Sequence, residues 1–359
     1  MIELVVMEGD GIGPEITQAT LVVLREADKR FGLGLSFTPA LVGFPALRQQ
    51  GTAFPAAALE AALKADGVIL GPVSHNDYPP VAQGGLNPSG ELRKRLDLYA
   101  NIRPARTRGG FPARCGVPVD LVIVRENTEG FYADRSMHVG PGEFMPTPDL
   151  ALSMRKITRN GSTRIAESAF ELAMGRRRKV TAVHKANVLR ISEGLFLECV
   201  RTVASRYPQV TYEERIIDAM AALLVRDASQ FDVVVTTNMF GDILSDEASE
   251  IAGSLGLAAS LNAGLSHAVA QAQHGSAPDI AGQDRANPAS LIGSAAMLLG
   301  WLGERRKNAA FNAAAVAIDA ALERAIATPE WRTPDLGGPL GTKDFGTCVA
   351  GMLDVDVSR

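Results

Sequence analysis

The stretch that decides the fold of this chain reads FDVVVTTNMFGDILSD, from Phe231 to Asp246. Its first part, residues 231–237, is a short apolar run rich in β-branched residues, which predicts a buried strand. Asp242 and Asp246 lie four residues apart in the helix predicted to follow, so both carboxylates face one side of it, one turn apart. Ligands collect beyond the carboxyl ends of strands in α/β sheets. We therefore expect a ligand site at this point.

The ligand that this pair of aspartates favours is a divalent cation. Two converging carboxylates repel each other unless a positive charge lies between them. Mg²⁺ and Mn²⁺ suit the position, because they prefer oxygen ligands and retain waters. The Asp-x-x-x-Asp spacing alone is a weak signal, since most such pairs belong to a solvated helix face. The strand that precedes it is what favours a metal site.

Strand-like and helix-like runs alternate along the rest of the chain. This alternation indicates an α/β fold with a largely parallel sheet. A Gly- and Pro-rich segment, residues 137–148, predicts a projecting loop or arm. Further strands are predicted at residues 3–7, 67–70, 120–124, 180–183 and 210–217, and helices at residues 14–31, 191–206 and 308–327 and from residue 218.

Composition restricts the class of protein. The chain has 359 residues, enough for a large core and two lobes. A formal charge of −4 argues against a nucleic-acid or membrane-surface binder. No apolar run approaches the roughly 20 residues that span a bilayer, and the first residues carry no basic leader, so we expect a cytoplasmic protein without a signal peptide. The odd number and wide spacing of Cys115, Cys199 and Cys348 indicate reduced thiols.

A glycine-rich turn, GDGIGPE, occupies residues 9–15. Its spacing is G-x-G-x-G and not G-x-G-x-x-G, so the argument for a dinucleotide fingerprint does not apply. A tight turn whose glycines take positive φ angles explains the pattern equally well.

Three arginines are candidates for binding an anionic substrate: Arg93, Arg103 and Arg125. Guanidinium binds carboxylate through two parallel hydrogen bonds. An arginine at a strand end is most often part of a surface ion pair. Three arginines beside a metal would instead form a receptor for a di- or tricarboxylate.

Tyr132, Lys185 and Asp218 form a third candidate group. Lys185 follows a predicted strand, and like charge from a metal and arginines favours its neutral form, which suits proton transfer. Tyr132 is then the residue able to supply a proton. Taken singly, each residue is more often structural than catalytic.

The loop HGSAPDIAG, residues 274–282, is rich in small residues and turn formers. It allows a phosphate or adenosine to approach the backbone. Asp279 in this loop can accept hydrogen bonds from a ribose diol and would repel a 2′-phosphate. An ordinary surface turn is the alternative interpretation.

Taken together, these groups make the chain resemble the β-decarboxylating dehydrogenases, the isocitrate and 3-isopropylmalate dehydrogenase family. The resemblance runs nearly end to end, since the motifs appear in family order at residues 9–15, 101–104, 124–130, 184–189, 238–246 and 274–288. It implies Tyr132 and Lys185 as the acid–base pair, substrate binding by Asn87, Ser89, Arg93, Arg103 and Arg125, metal binding by Asp218, Asp242 and Asp246, and cofactor binding by His274, Gly275, Ser276, Ala277, Pro278, Asp279, Ile280 and Asn287.

The resemblance also implies a fold and a reaction. The fold is a two-domain α/β fold with interleaved domains, not a Rossmann fold: residues 1–98 and 253–359 bind the cofactor, and residues 99–252 bind substrate and dimerise. Hydride leaves C2 of a (2R)-malate for nicotinamide, CO₂ departs from C3 and the enolate is protonated. The site lies between the domains of a homodimer or a dimer of dimers, with Lys185 and Asp218 expected from the partner subunit.

Substrate identity depends on the segment before Arg93. Isopropylmalate enzymes place leucines three and four residues before that arginine, where this chain has Gly90 and Ser89. Isocitrate enzymes place serine six and asparagine four residues before it, and here Asn87 and Ser89 stand in reversed order. Homoisocitrate enzymes can use an arginine three residues before it, which Gly90 replaces. We expect isocitrate or homoisocitrate as substrate, with 3-isopropylmalate, tartrate and D-malate as alternatives.

The remaining expectations concern the cofactor. Asp279 and Ile280 stand where NADP-dependent relatives carry lysine and tyrosine, so we expect NAD, together with Mg²⁺ or Mn²⁺. Gln271 departs from the acidic residue that relatives usually have three positions before the loop histidine. A catalytically silent regulatory subunit is a remote alternative, because the lysine, the tyrosine and the metal aspartates are all present.

Overall fold

The computed structural model describes residues 1–132, 137, 140 and 142–354. Its strands are β1 (Ile2–Met7), β2 (Leu35–Pro39), β3 (Gly67–Leu70), β4 (Ala100–Arg106), β5 (Asp120–Glu126), β6 (Glu143–Thr147), β7 (Leu150–Ser153), β8 (Lys179–His184), β9 (Thr211–Ile216), β10 (Val233–Thr236), β11 (Leu261–Ala263) and β12 (Ala268–Gln271). Its α-helices are α1 (Gly13–Phe31), α2 (Gly43–Gln50), α3 (Ala56–Lys64), α4 (Pro88–Arg95), α5 (Arg159–Met174), α6 (Ser192–Ala204), α7 (Ile217–Asp227), α8 (Asn238–Ala252), α9 (Ala289–Arg306), α10 (Ala309–Ala327) and α11 (Thr342–Gly351).

One ten-stranded sheet runs through the molecule in the order β2-β1-β3-β12-β11-β4-β5-β10-β8-β9. Its outer strands pair in parallel. At its centre β11 is antiparallel to both β12 and β4, and β4 is antiparallel to β5. The predicted α/β fold with a largely parallel sheet is therefore confirmed, and the antiparallel centre is the part that the alternation of elements did not indicate.

The predicted helices and strands are present at the expected places. The first helix illustrates the local chemistry: Pro14 lies in its first turn, where the missing N–H is not needed. Gly32 ends it with a left-handed φ of 64°, which glycine adopts without steric strain. The strand predicted at residues 231–237 is β10, and it leads directly into α8.

The buried apolar residues separate into clusters on either side of the sheet's centre. Two clusters draw their members from residues 2–98 and 261–353. The other two draw theirs from residues 99–252. This separation falls at the boundaries proposed from the sequence, but the single sheet crosses both halves. The division into two domains therefore stays a prediction.

A second, small sheet corresponds to the predicted arm. β6 and β7 form an antiparallel pair with a register irregularity after Phe144, and every residue in both strands is exposed. Residues 138, 139 and 141 of the predicted segment lie outside the described residues. None of the helices in the described part of the chain is long and apolar enough to span a bilayer.

Candidate active site

The candidate site lies where β5 and β10 end and α8 begins. β10 pairs in parallel with β5 and with β8, so their carboxyl ends share one edge of the sheet. Asp242 and Asp246 lie one turn apart on α8, as the sequence predicts. Both accept from Arg103 of the neighbouring β4, with Nη1 at 3.1 Å from Asp242 Oδ1 and 3.4 Å from Asp246 Oδ1.

Two buried arginines converge on Asp242. Arg125, only 2% exposed, forms an ion pair with this carboxylate through Nη1. Asn238 orients it, because the Asn238 side-chain oxygen accepts from Arg125 Nε at 3.0 Å and from Nη2 at 2.7 Å. Arg103 is held in the same way by the hydroxyl of Ser245, at 2.7 Å. The two guanidinium groups are therefore fixed before any ligand binds.

Burial and the arginines shift the ionisation of this group in opposite directions. Burial opposes the charged form of Asp242, but Arg125, Arg103 and Arg93 outweigh it and hold the pKa of the carboxyl below its ordinary value. For Arg103, burial and the nearby charge of Arg125 lower the pKa to about 10. Asp242 is thus ionised at neutral pH, which suits a hard divalent cation.

A cavity of about 320 Å³ opens in front of these charges. It contains all five predicted substrate residues, the predicted acid Tyr132 and the beginning of the predicted cofactor loop. The predicted residues that line it are Asn87, Ser89, Arg93, Arg103, Arg125, Tyr132, Asp242, His274 and Gly275. It is also lined by residues without a predicted role, among them His75, Ser260, Gln271 and Gln273.

Tyr132 lies against this charge cluster. Its hydroxyl donates to Asp242 Oδ2 at 3.3 Å. Its ring lies under the guanidinium of Arg125, whose carbon is 5.7 Å from the ring centroid. The tyrosine O–H is therefore directed toward the predicted metal position.

Lys185 and Asp218 are not part of this cavity. Lys185 Nζ forms an ion pair with Asp218, whose side chain is two-thirds exposed. Within residues 1–132, 137, 140 and 142–354 of one chain, no three Asp, Glu, His or Cys side chains gather in a group able to hold a metal ion. One chain thus brings Asp242 and Asp246 together with Tyr132, and leaves Asp218 with Lys185.

The glycine-rich turn supports the predicted cofactor loop. Ile12 donates from its backbone to the Ser276 carbonyl at 2.8 Å, and Ser276 Oγ lies 2.6 Å from Ser74 Oγ. Gly9 and Gly11 have φ angles of 75° and 56°. A Cβ on Gly11 would lie 2.0 Å from the Ser276 carbonyl oxygen. The interpretation of residues 9–15 as a tight turn is confirmed, and close backbone contact is its reason.

The predicted cofactor loop leaves two polar groups open. His274 Nε2 is buried and has no hydrogen-bond partner among the described residues, while Nδ1 lies 3.0 Å from the Gly275 carbonyl. Burial lowers the pKa of His274, so the ring is neutral and Nε2 is an acceptor. Asp279 is exposed on a short 3₁₀ turn, Pro278–Ile280. An acceptor and an exposed carboxylate fit an aminopurine and a diol.

The side chain of Asn287, another predicted cofactor residue, makes hydrogen bonds within the chain. Its side-chain oxygen accepts from the Ala289 backbone N–H at 2.9 Å, and its nitrogen donates to Asp335 at 3.0 Å. Both ends of the amide are therefore engaged within the chain. The residue fixes the start of α9 beside the loop.

Several residues that organise the site were not predicted. Asn238 and Ser245 hold the two arginines, and both stand inside the quoted Phe231–Asp246 stretch. Gln271 accepts a hydrogen bond from Ser89 Oγ at 3.0 Å. The signal for Gln271 was present as its departure from the acidic residue of relatives. Nothing in the spacing of Asn238 or Ser245 distinguishes them from ordinary helix residues.

The chain is similar over nearly its whole length to isocitrate and isopropylmalate dehydrogenases. A family model described as isocitrate/isopropylmalate dehydrogenase matches residues 3–349. The 3-isopropylmalate dehydrogenase of Archaeoglobus fulgidus is 40% identical over 359 residues, covering 99% of this chain and 100% of that protein. The isocitrate/homoisocitrate dehydrogenase of Thermus thermophilus is 42% identical over 349 residues, 97% of each chain. The crystal structure of isocitrate dehydrogenase from Methylococcus capsulatus has a TM-score of 0.86 and 38% identity, covering 98% of this chain and 99% of that one.

Proposed function

Because this chain belongs to the isocitrate/isopropylmalate dehydrogenase family, we propose that it catalyses the NAD-dependent oxidative decarboxylation of a 3-substituted (2R)-malate, with isocitrate or homoisocitrate as substrate. The observation that carries this proposal is that three arginines, Asp242 and Tyr132 line one and the same cavity. A receptor with this excess of positive charge suits a polycarboxylate.

Substrate binding falls to Arg93, Arg103 and Arg125. Each guanidinium offers paired donors to a carboxylate. Arg103 and Arg125 are buried and already oriented, so little rotamer freedom is lost when substrate binds. These arginines hold the malate carboxylates and direct C2 and C3 toward the reacting groups.

The residues present fit Mg²⁺ or Mn²⁺. Asp242 and Asp246 would hold the ion together with Asp218 from a second copy of this chain. When bound, the metal supplies Lewis-acid polarisation of the oxygen on C2. The carboxylates that hold it are oxygen-only ligands, as these cations prefer.

Proton transfer is divided between two residues. Lys185 from the second copy takes the proton of the C2 hydroxyl at Nζ when its amine is neutral, and it lies beside Asp218, the predicted metal ligand of the same chain. Tyr132, whose O–H is directed at Asp242, delivers a proton to C3 after CO₂ has left. The homodimer is part of this proposal, because one chain does not gather all the groups.

The adenosine half of NAD would bind along the His274–Asn287 loop. The His274 Nε2 acceptor suits the adenine amino group, and the Asp279 carboxylate suits the ribose diol. Asp279 would repel the 2′-phosphate of NADP.

The comparisons leave the substituent on C3 open, since relatives of nearly equal identity are named for different substrates. The pocket wall near Arg93 supports a polar substituent. It carries Asn87, Ser89 and Gly90, and offers little apolar surface to an isopropyl group.

The test is the initial rate of NADH formation with Mg²⁺ or Mn²⁺ and a panel of isocitrate, homoisocitrate, 3-isopropylmalate, D-malate and tartrate. We expect the highest kcat/KM for isocitrate or homoisocitrate. Efficient turnover of 3-isopropylmalate with negligible turnover of both tricarboxylates would contradict the substrate assignment. No turnover of any of them, by a folded dimer, would support the silent subunit.

A double variant tests whether the pocket wall near Arg93 determines the substrate preference. Ser89→Leu with Gly90→Leu adds apolar surface worth about 0.8 kcal/mol per buried methylene. We expect the preference to move toward 3-isopropylmalate. An unchanged preference would show that this segment does not contact the substituent.

A further inference from the structure

A row of buried side-chain amides crosses the centre of the sheet and ends in the candidate site. Asn127 Nδ2 donates to the Leu98 carbonyl at 2.9 Å and to Asn262 Oδ1 at 3.0 Å. Asn101 Nδ2 donates to the same Asn262 oxygen at 3.0 Å. Asn262 Nδ2 then donates to Gln271 Oε1 at 3.3 Å. The three asparagines are at most 1% exposed, so bulk water does not reach the row.

The orientation of every amide in this row follows from its first member. A backbone carbonyl only accepts, so Asn127 must turn its nitrogen toward Leu98. Asn262 then turns its oxygen toward Asn127, and its nitrogen toward Gln271. The oxygen of Gln271 is therefore directed back into the row. Its Nε2 group makes no hydrogen bond with the described residues, and Gln271 lines the cavity.

The same row of amides determines whether the Ser89 hydroxyl can donate a hydrogen bond to a ligand in the cavity. Ser89 Oγ donates its single proton to Gln271 Oε1 at 3.0 Å. The hydroxyl therefore presents only lone pairs to the cavity, and lone pairs repel a carboxylate. Asn87 is constrained as well: its oxygen accepts from the Gly90 backbone N–H at 3.2 Å, which leaves its nitrogen as a donor. The polar wall beside Arg93 thus has amide N–H groups as its donors.

We propose that Gln271 determines specificity by donating from Nε2 to the carboxylate on the C3 substituent, and that the buried amide row fixes this donor toward substrate. The inference rests on the proposed function and names the group that recognises the third carboxylate. A glutamate at this position would accept the same two bonds from Asn262 and Ser89 with one oxygen. Its second oxygen would face the cavity with negative charge, where Gln271 presents a donor.

The experiment compares wild type, Gln271→Met and Gln271→Glu on the better tricarboxylate and on D-malate, which has no C3 substituent. Both substitutions remove the donor: Gln271→Met adds no charge, and Gln271→Glu restores the acidic residue that relatives usually have here. Because a hydrogen bond to a charged group is lost, we expect the kcat/KM ratio of tricarboxylate to D-malate to drop by about tenfold or more in both variants. kcat/KM for D-malate should change by less than about threefold.

The outcomes separate this inference from the proposed function. Wild type without tricarboxylate activity overturns the proposed function. Wild type with that activity, and an unchanged ratio in both Gln271 variants, overturns the inference alone. An altered KM for NAD with every substrate alike also overturns it, because it would assign Gln271 to the nicotinamide.

A second variant tests the row itself. Asn262→Asp keeps the size and the acceptor for Asn101 and Asn127 but cannot donate to Gln271 Oε1. Gln271 is then free to rotate, so the tricarboxylate to D-malate ratio should fall in the same direction as in Gln271→Met. Thermal unfolding of each variant confirms that the chain is folded. A folded Asn262→Asp protein with the wild-type ratio overturns the claim that the row fixes the donor.

Discussion

Two arginines on the same strand, Arg103 and Arg106 of β4, are used in opposite ways. Arg103 is buried, and its guanidinium lies beside that of Arg125 as well as beside Asp242 and Asp246. Arg106 is exposed, and it pairs with Asp319 at 2.8 Å and with Glu323 at 3.2 Å.

Their pKa values differ accordingly. Burial and the neighbouring guanidinium lower the pKa of Arg103 to about 10. Burial also acts against the charge of Arg106, but Asp319 and Glu323 outweigh it and raise the pKa above its ordinary value. The Arg106 group is satisfied by its own carboxylates. The cluster around Arg103 contains three arginines but only two aspartates, so an added anion would be stabilised by the excess positive charge. The difference supports the proposal that the ion-pair network around Arg103, and not the one around Arg106, binds the substrate.

The largest effect is expected from replacing Asp242, the carboxylate that both Arg103 and Arg125 contact. Asp242→Asn should lower kcat/KM on the order of a thousandfold, because Lewis-acid polarisation by the metal contributes several kcal/mol. The measurement is steady-state kinetics with Mg²⁺ or Mn²⁺, with a chelator titration of wild type alongside. Full activity of wild type in excess chelator would exclude the metal assignment.

A matched pair of substitutions on β4 tests the two networks directly. Arg103→Lys loses the paired donors to substrate and to Ser245, and should lower kcat/KM by about ten- to a hundredfold. Arg106→Lys, three residues along the same strand, should stay within about twofold of wild type. Equal losses in the two variants would show that the arginines act through the fold and not through substrate.

The preference for NAD or NADP tests the predicted cofactor loop. The exposed Asp279 carboxylate should make NAD preferred over NADP by about tenfold or more in kcat/KM, through like-charge repulsion of the 2′-phosphate. Asp279→Asn should narrow this ratio and leave kcat with NAD nearly unchanged. A wild-type preference for NADP would contradict the assignment of this loop.

The smallest effect belongs to the Arg106 network. Asp319→Asn should destabilise the protein by less than about 1 kcal/mol, since the partners are partly exposed. Arginine charge outweighs burial and lowers the pKa of Asp319, so its contribution is present at neutral pH and is lost as pH falls through the folded-state value, below about 4. Urea unfolding of both proteins at neutral and acidic pH measures this. A difference that grows on acidification would have the wrong sign.

The elements that the sequence predicted correctly are those with a strong local signal. β10 is a short run of β-branched residues, and α1 has Pro14 in its first turn and ends before Gly32, so both have a clear local signal. β11 and β12 were not predicted, because three or four small residues such as Leu-Asn-Ala carry no periodicity. Their pairing with β4 and β3 is a tertiary contact, which a local pattern does not encode.

The candidate site likewise has features that a local pattern predicts and features that depend on tertiary contacts. The spacing of Asp242 and Asp246 could be read from a single helix. The convergence of Arg103 and Arg125 on Asp242 depends on strand order, and sequence alone left it open. The polarity that Gln271 presents depends on partners as distant as Leu98 and Asn127. A local sequence pattern does not show which residues contact the Gln271 side chain, so it does not show which end of the amide faces the cavity.

The pairing of β3 with β12 also has a consequence during synthesis on the ribosome. Leu70 lies beside Gln271 in the finished sheet, although about two hundred residues separate them in the chain. At roughly 5–20 residues per second, the nascent β3 edge waits on the order of 10–40 s for its partner strand to be translated. During that interval its backbone N–H and C=O groups are open to other strands. The nascent chain is therefore exposed to misassembly after its first fifth has been translated and before β12 follows.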